Sequence, residues 1–428
     1  MNRAFPRAAS ACTLALGLSL GGLAWADTAT LPPGPLIDIN SVANSLGTGV
    51  DAATTKSNSL TGNTVTLTSG AVDGYVVGAI NLEDTDAVSG NTVTLSGGDA
   101  AGSETFSTHA TYGLAVAGGY ADNAAASDNT VTISGGTVDS GLVVGGMGGS
   151  SATGNTVTVS AGTISVSGVT GGFTINGSAS AAATGNTVNI TGGTIAGGIN
   201  GGRVYAVLPS MSCSLPVGAT YDASNNTVNI SGTPDLSAAS VIGGTVALLA
   251  TTPIVCPSPP GGYPFTTNNN TLNLHSASVQ VAGLAGFNTL NFYLPATLTA
   301  SQPMLTDTAS SVVVDISSAA IHVATDATAP ATLHDGDAYT LISAPNGSLS
   351  SPFTALTGTI TDATGAAFPY TVDVDASSTK LVLKIGTAPP VPPSASAAAV
   401  PATSPAALAL LALLLAATGW LTRRGARR

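Results

Sequence analysis

Charge is what this sequence has least of: Asp, Glu, Lys and Arg make up 7% of its 428 residues, and aromatic residues only 4%. Disordered chains of low charge and high Val, Ile and Thr content are rare, because such a chain can bury a core. The scarcity of basic residues is sharper still. Of ten Lys and Arg, two stand in the first seven residues and four in the last six, leaving Lys56, Arg203, Lys380 and Lys384. All 22 acidic residues lie between Asp27 and Asp375, so the central part carries a net charge of −18. A surface of that sign offers no phosphate-binding groups, which excludes nucleic acid and anionic lipid as partners. There is no P-loop, dinucleotide fingerprint, Ca²⁺ nonapeptide or metal-spaced Cys/His set, so no cofactor and no metal is expected.

Cysteine is almost absent, with three residues. Cys12 lies in a stretch that reads as an export signal. Arg3 and Arg7 precede an apolar run at residues 13–23, and Ala24-Trp25-Ala26 is an A-x-A site that predicts cleavage between Ala26 and Asp27. The remaining pair, Cys213 and Cys256, is then expected in an oxidising compartment.

What is abundant is glycine (52 residues) and one repeated phrase. Residues 128–138 read DNTVTISGGTV, and the Asn-Thr-Val/Leu triplet begins at Asn63, Asn91, Asn129, Asn155, Asn186, Asn226, Asn270 and Asn288. Repeats of this length indicate a stacked architecture. A glycine step follows at Gly118-Gly119, Gly145-Gly146, Gly171-Gly172, Gly201-Gly202 and Gly243-Gly244, which makes each unit a strand, a Gly turn, a second strand, a Gly turn and a variable return. In the phrase at Asn129, Val131 and Ile133 point one way while Thr130, Thr132 and Ser134 point the other. Two apolar residues bury nothing alone, so the units are predicted to stack in parallel, about 4.8 Å apart, around a shared core. The Asn and Gly residues are placed at corners for their tolerance of left-handed backbone, and aligned Asn residues are expected to form an amide ladder.

The fold expected is all-β: a parallel β-solenoid, a right-handed β-helix, over residues 27–283. From residue 284 the period breaks, and residues 284–386 are assigned to a C-terminal β cap that closes on a hairpin in YTVDVDASSTKLVLKI. Residues 387–405 form a Pro/Ala/Ser linker. Residues 406–422 are read as one transmembrane helix, and 423–428 as a basic tail whose Arg423, Arg424, Arg427 and Arg428 keep that end cytoplasmic.

These repeats, with GFNTLNFYLPATLTASQPML and the closing TKLVLKI, resemble the passenger domains of Gram-negative autotransporters, β-helical adhesins and related surface proteins. The similarity covers roughly residues 44–385 and departs from the family in lacking its β-barrel translocator. The end of the chain, VPATSPAALALLALLLAATGWLTRRGARR, resembles the IPTL-type sorting tail, whose pattern begins I-P-T-L-S-x-W. Val400, Pro401 and Ser404 match it in register; Ala402, Thr403 and Ala406 do not. VPATS also echoes the sortase motif without its Gly. Either resemblance implies a sorting protease or transpeptidase as a partner.

The function expected is that of an exported, membrane-tethered cell-surface solenoid, structural or adhesive, in contact with extracellular carbohydrate or protein surfaces and without catalysis. The alternative is a carbohydrate-active β-helix enzyme, a polysaccharide lyase or hydrolase. That chemistry needs carboxylates gathered on one face. The candidate clusters are Glu83, Asp84 and Asp86, which would have to meet Asp122 or Asp128, and His334, Asp335 and Asp337. Each reads more simply as a solvated turn.

Cys213 and Cys256 lie 12 and 13 residues after the glycines of successive units, in return loops that leave the same corner of adjacent rungs. A Cys213–Cys256 disulfide is predicted. Peptide mapping without reduction should recover the two cysteines in one cross-linked fragment; free thiols at both would sink this loop alignment.

Overall fold

The computed structural model describes residues 28–31, 60–72, 75–81, 85–100, 113–165, 167–176, 180–208, 215–250, 263–310, 312–350 and 353–386. The described residues contain strands and turns and no helix. None therefore forms a helix long and apolar enough to cross a membrane. The export signal with Ala26 and Asp27, Glu83 and Asp84, Cys213 and Cys256, the linker, the sorting motif and residues 406–428 lie outside the described residues.

The chain winds through three stacks of parallel strands, the arrangement of a β-solenoid. The coil that starts at Asn129 shows the order. Thr130–Val138 lies in the first sheet, Leu142–Gly148 in the second and Ser151–Thr153 in the third, after which Asn155 starts the next coil. The three sheets have 13, 8 and 6 strands. Pairing is in register from coil to coil, with Thr130↔Thr156, Val131↔Val157, Thr132↔Thr158 and Ile133↔Val159 as one instance. β-branched residues suit this pleated, half-buried surface. Val131, Ile133, Val157 and Val159 are completely buried, while the threonines between them face outward and are half-buried. Each buried Val or Ile contributes about 1.5–3 kcal/mol, and it can do so only with a coil above and below it.

The repeated asparagines form the amide ladder expected of them, but they are not the left-handed corner residues. The left-handed residue at each corner is the one before the Asn: Gly62, Gly90, Asp128, Gly154, Gly185, Asn225 and Asn269 all have φ between 55° and 72°. The Asn itself turns its side chain inward. Asn63, Asn91, Asn129, Asn155, Asn186, Asn226 and Asn270 are fully buried. At the centre of the stack, Asn155 Oδ1 accepts from both the backbone N–H and the Nδ2 of Asn129, each at 3.0 Å. Asn155 Nδ2 in turn donates to Asn186 Oδ1 at 3.1 Å and to the Ala126 carbonyl in the third sheet at 3.0 Å. The pattern recurs at Asn91, Asn186 and Asn226. A burial that is costly for an unpaired amide is thus satisfied at every donor and acceptor.

The glycine pairs answer to the same ladder. A Cβ on Gly146 would overlap the Asn155 amide, and one on Gly172 the Asn186 amide. The preceding glycines, Gly145 and Gly171, lie against backbone carbonyls of the next coil. The Gly-Gly step is therefore a slot for the amide rather than a simple turn.

Three further departures from the expected unit appear. The variable return contains a strand of its own, such as Ala125–Ser127 or Ala181–Thr184, in the third sheet. The first coil begins earlier than the first Asn-Thr-Val: Thr28–Leu31 pairs in parallel with Thr64–Leu67. And the two long insertions begin as strands. Ile199–Leu208 and Ser240–Ala250 run side by side from Ile199↔Val241 to Leu208↔Ala250, well beyond the glycines.

After residue 283 the first sheet continues through Thr289–Leu294 and Ala320–Thr325. Beside it, Val279–Val281, Leu305–Asp307 and Ala338–Ser343 pair in parallel, and pairing then turns antiparallel with Lys380–Ile385, Ala367–Val374 and Leu356–Thr361. The terminal hairpin expected from the sequence is the Ala367–Val374/Lys380–Ile385 pair.

Asn155→Leu should destabilise the protein by about 2–4 kcal/mol, since it strands the buried N–H and Nδ2 donors of Asn129 and removes the donor to Asn186 Oδ1 and the Ala126 carbonyl. Gly146→Ala should be comparably harmful. Urea denaturation followed by circular dichroism measures both. A loss below about 0.5 kcal/mol for Asn155→Leu, within the range of neutral surface changes, would show that the ladder does not hold the coils together.

Candidate functional site

The outward face of the first sheet is built from three columns. The first is threonine in every coil from Thr64 to Thr289. The second is Thr66, Thr94, Thr132 and Thr158, and then Asn189, Asn229, Asn273 and Asn291. These four asparagines form a second, surface ladder. Asn229 Nδ2 donates to Asn189 Oδ1 at 2.6 Å, Asn273 to Asn229 at 2.6 Å and Asn291 to Asn273 at 2.7 Å. Asn229 and Asn273 each spend one N–H and one lone pair on the ladder and keep the rest for water or a ligand, while Asn189, at its end, donates to the Thr158 hydroxyl at 3.3 Å. The third column is Thr68, Ser96, Ser134, Ser160, Thr191 and Ser231, until His275 and Tyr293 replace the small hydroxyl residues.

At that change the face acquires a groove of about 520 Å³, lined by Asn189, Thr191, Asn229, Ser231, His275 and the 326–329 loop, among others. The His275 imidazole lies flat on the Tyr293 ring, with centroids 4.1 Å apart and planes 7° apart. The next coil on its other side carries only Ser231, so the ring stands at the end of a floor of small polar residues. Beside His275 and bonded directly to it, Asp326 holds the wall. Its Oδ1 accepts from the Thr328 N–H at 2.8 Å, the Thr328 hydroxyl at 2.6 Å and the Ala329 N–H at 3.1 Å, and its Oδ2 lies 2.7 Å from His275 Nδ1. Burial alone pushes the Asp326 carboxyl up. The hydrogen bonds from Thr328, His275 and Ala329 outweigh it and hold the group well below the usual carboxylate range. An ionised carboxylate only accepts, so His275 Nδ1 carries the proton and, in the neutral ring, Nε2 is left as an acceptor. The site therefore offers amides, hydroxyls, one imidazole face and one imidazole nitrogen.

The carboxylates singled out in the sequence are arranged otherwise. Asp86 is exposed, and its backbone carbonyl accepts from Asn81 Nδ2 at 2.7 Å. Asp128 is a corner residue with φ of 55°. Asp122 accepts from the Tyr120 hydroxyl at 2.9 Å, beside a cavity of about 20 Å³, room for about one water. Asp337 closes a turn by accepting from the His334 N–H at 2.7 Å and from the Tyr339 hydroxyl at 2.9 Å. Burial, and then the Asp337 carboxylate, push the Tyr339 hydroxyl up to about 12. Asp335 and the His334 side chain are exposed. Among the described residues no three His, Cys, Asp or Glu side chains gather as a metal would require.

Comparison with known proteins adds no name: no family model matches the chain, and no curated protein or solved structure matches it.

Asp326→Ala should cost about 1.5–3 kcal/mol at pH 7, as expected for hydrogen bonds to a charged group. The folded-state carboxyl is depressed, so its contribution is complete above the ordinary carboxylate value of about 3.9 and is lost as pH falls below it. The stability gap between wild type and Asp326→Ala, measured in urea at pH 7, 5 and 3, should shrink only at the lowest pH. A gap that is constant across the series would exclude the ionised carboxylate as the anchor of this wall.

Proposed function

We propose that the chain is an exported, membrane-tethered solenoid of a Gram-negative cell envelope, with a structural or adhesive role. In this reading the body is a right-handed β-helix like an autotransporter passenger, residues 1–26 are removed, residues 406–422 anchor the chain, and a sorting enzyme acts at Val400, Pro401 and Ser404. The observation that carries it is the outward face of the first sheet. Column after column presents hydroxyls and amides with no basic residue, held rigid by the pairing beneath. Such a face suits many weak, repeated contacts with sugars or protein surfaces, whose sum exceeds any single one. A fixed array also loses little entropy on binding. The acidic excess of the central part keeps such bodies apart from one another.

The reading is tested by protease accessibility on intact cells that express a version tagged beside Cys213, with and without residues 400–428. Digestion that depends on the tail is expected and would place the body outside the cell under control of a sorting signal. Protection until the outer membrane is opened would place it in the periplasm and overturn the adhesive role.

A further inference from the structure

We infer that the groove lined by His275, the 326–329 loop and the Asn189/Asn229 floor is a binding site for an uncharged polysaccharide segment, with a sugar ring laid against the open face of the His275 imidazole. The inference rests on the adhesive reading for its biology, but its chemistry is argued from the groove alone.

A volume of about 520 Å³ falls inside the ~300–1,000 Å³ range of small-molecule sites. The floor is polar and rigid. Asn189 and Asn229 belong to the surface ladder, with Asn229 held by its neighbours on both sides, and Thr191 and Ser231 directly follow strands, their N–H groups donating to the Val159 and Ile190 carbonyls of the preceding coil. Their spare groups are neutral donors and acceptors in a regular array, which suits the hydroxyls of a sugar. A flat surface is offered by the ring face of His275, supported from behind by Tyr293. A pyranose ring has an apolar C–H face and a hydroxylated rim, and this pairing of an aromatic face with flanking amides and hydroxyls matches both.

Charge decides the class of saccharide. Among the described residues that line the groove, Asp326 is the only Asp, Glu, Lys or Arg, and both its oxygens are taken by His275, Thr328 and Ala329. It therefore offers little to a cation and repels uronates, sialic acid and phosphorylated sugars, as does the acidic body. A peptide is disfavoured by the backbone. The floor strand Thr227–Ile230 and its neighbour Thr271–Leu274 are paired on both sides, so there is no free edge for an added strand. The wall is already formed: Asp326 N–H donates to the Leu294 carbonyl at 3.0 Å and Ala296 N–H to the Ala329 carbonyl at 2.8 Å.

The test titrates the full chain with cellohexaose, xylohexaose and mannohexaose, and with polygalacturonate as the anionic comparison, by calorimetry and saturation-transfer NMR. At least one neutral oligosaccharide should bind and polygalacturonate should not. Ser231→Trp fills the groove from an outward position without touching the core, and should abolish binding with the circular dichroism spectrum and Tm unchanged. His275→Ala should weaken binding about tenfold, as the loss of an aromatic contact does. His275→Phe keeps the flat face and should retain most of the affinity, while Thr132→Trp, remote on the same face, should have no effect. Failure of all three neutral sugars to bind, equal binding of polygalacturonate, or full binding by Ser231→Trp would each overturn the proposal. The same variants in a cell-adhesion assay separate the two readings. Adhesion that survives Ser231→Trp while saccharide binding is absent removes the groove and keeps the adhesive role; saccharide binding without adhesion does the reverse.

Discussion

A primary amide buried in each coil from Asn63 to Asn270 is the constraint on which the rest of this protein depends. An Asn side chain inside a core is expensive unless all its donors and acceptors are met. Here they are met only by the coil before, the coil after and the facing third-sheet strand. A coil shifted by one residue would turn its Val and Ile outward and also strand two amides. The ladder thus converts a general hydrophobic preference for stacking into a single register. It also dictates the glycine pairs, because the amide occupies the space that a Cβ on Gly146 or Gly172 would need. Asparagine and glycine, which look like two separate turn signals in the sequence, are two halves of one interior contact.

This explains how the repeat tolerates such uneven lengths. Successive ladder asparagines are 18 to 44 residues apart, yet the strands that follow them pair without a shift at Thr227↔Thr271 and Thr271↔Thr289. Closing a longer loop costs entropy only slowly, about 0.6 kcal/mol per doubling of its length. Insertions at a corner are therefore cheap while the amide at the start of each coil resets the register. The paired arms Ile199–Leu208 and Ser240–Ala250 show the other way to absorb length: the extra residues extend a sheet and bury Val204, Ala206, Tyr205 and Val207.

The features legible in the sequence were those with a period and a hydrophobic contrast. The T-V-T-I alternation named the buried side of the first sheet residue by residue, and the closing hairpin was marked by two alternating runs around a turn. The third sheet was not legible because its strands are two to four residues long and put alanine inside, as at Ala126, Ala152 and Ala183. Alanine among serines carries no signal against a loop background. The strand Thr28–Leu31 was missed because Asp27 stands where Asn does in later coils, and Ala29 where Val does. The left-handed corner was given to the wrong residue of the pair, since the variable Gly, Asp or Asn before the ladder position is the one with positive φ.

The groove was hidden for a different reason. His275 and Asp326 are 51 residues apart, and neither belongs to a cluster in the sequence. The signal was positional: His275 occupies the place in NTLNLH that Ser231 and Thr191 occupy in NTVNIS and NTVNIT. A solenoid face made of identical coils is translationally uniform, so it grips every point along its length equally and selects none. Selectivity requires a break in the column. Replacing a small hydroxyl residue by an imidazole raises a step at one coil, and the turn built on Asp326 bonds to that step and extends it into a wall. The same stacking that makes the face uniform holds this wall in place, so a break in one column of the repeat, backed by one loop, turns a flat ladder into a walled groove.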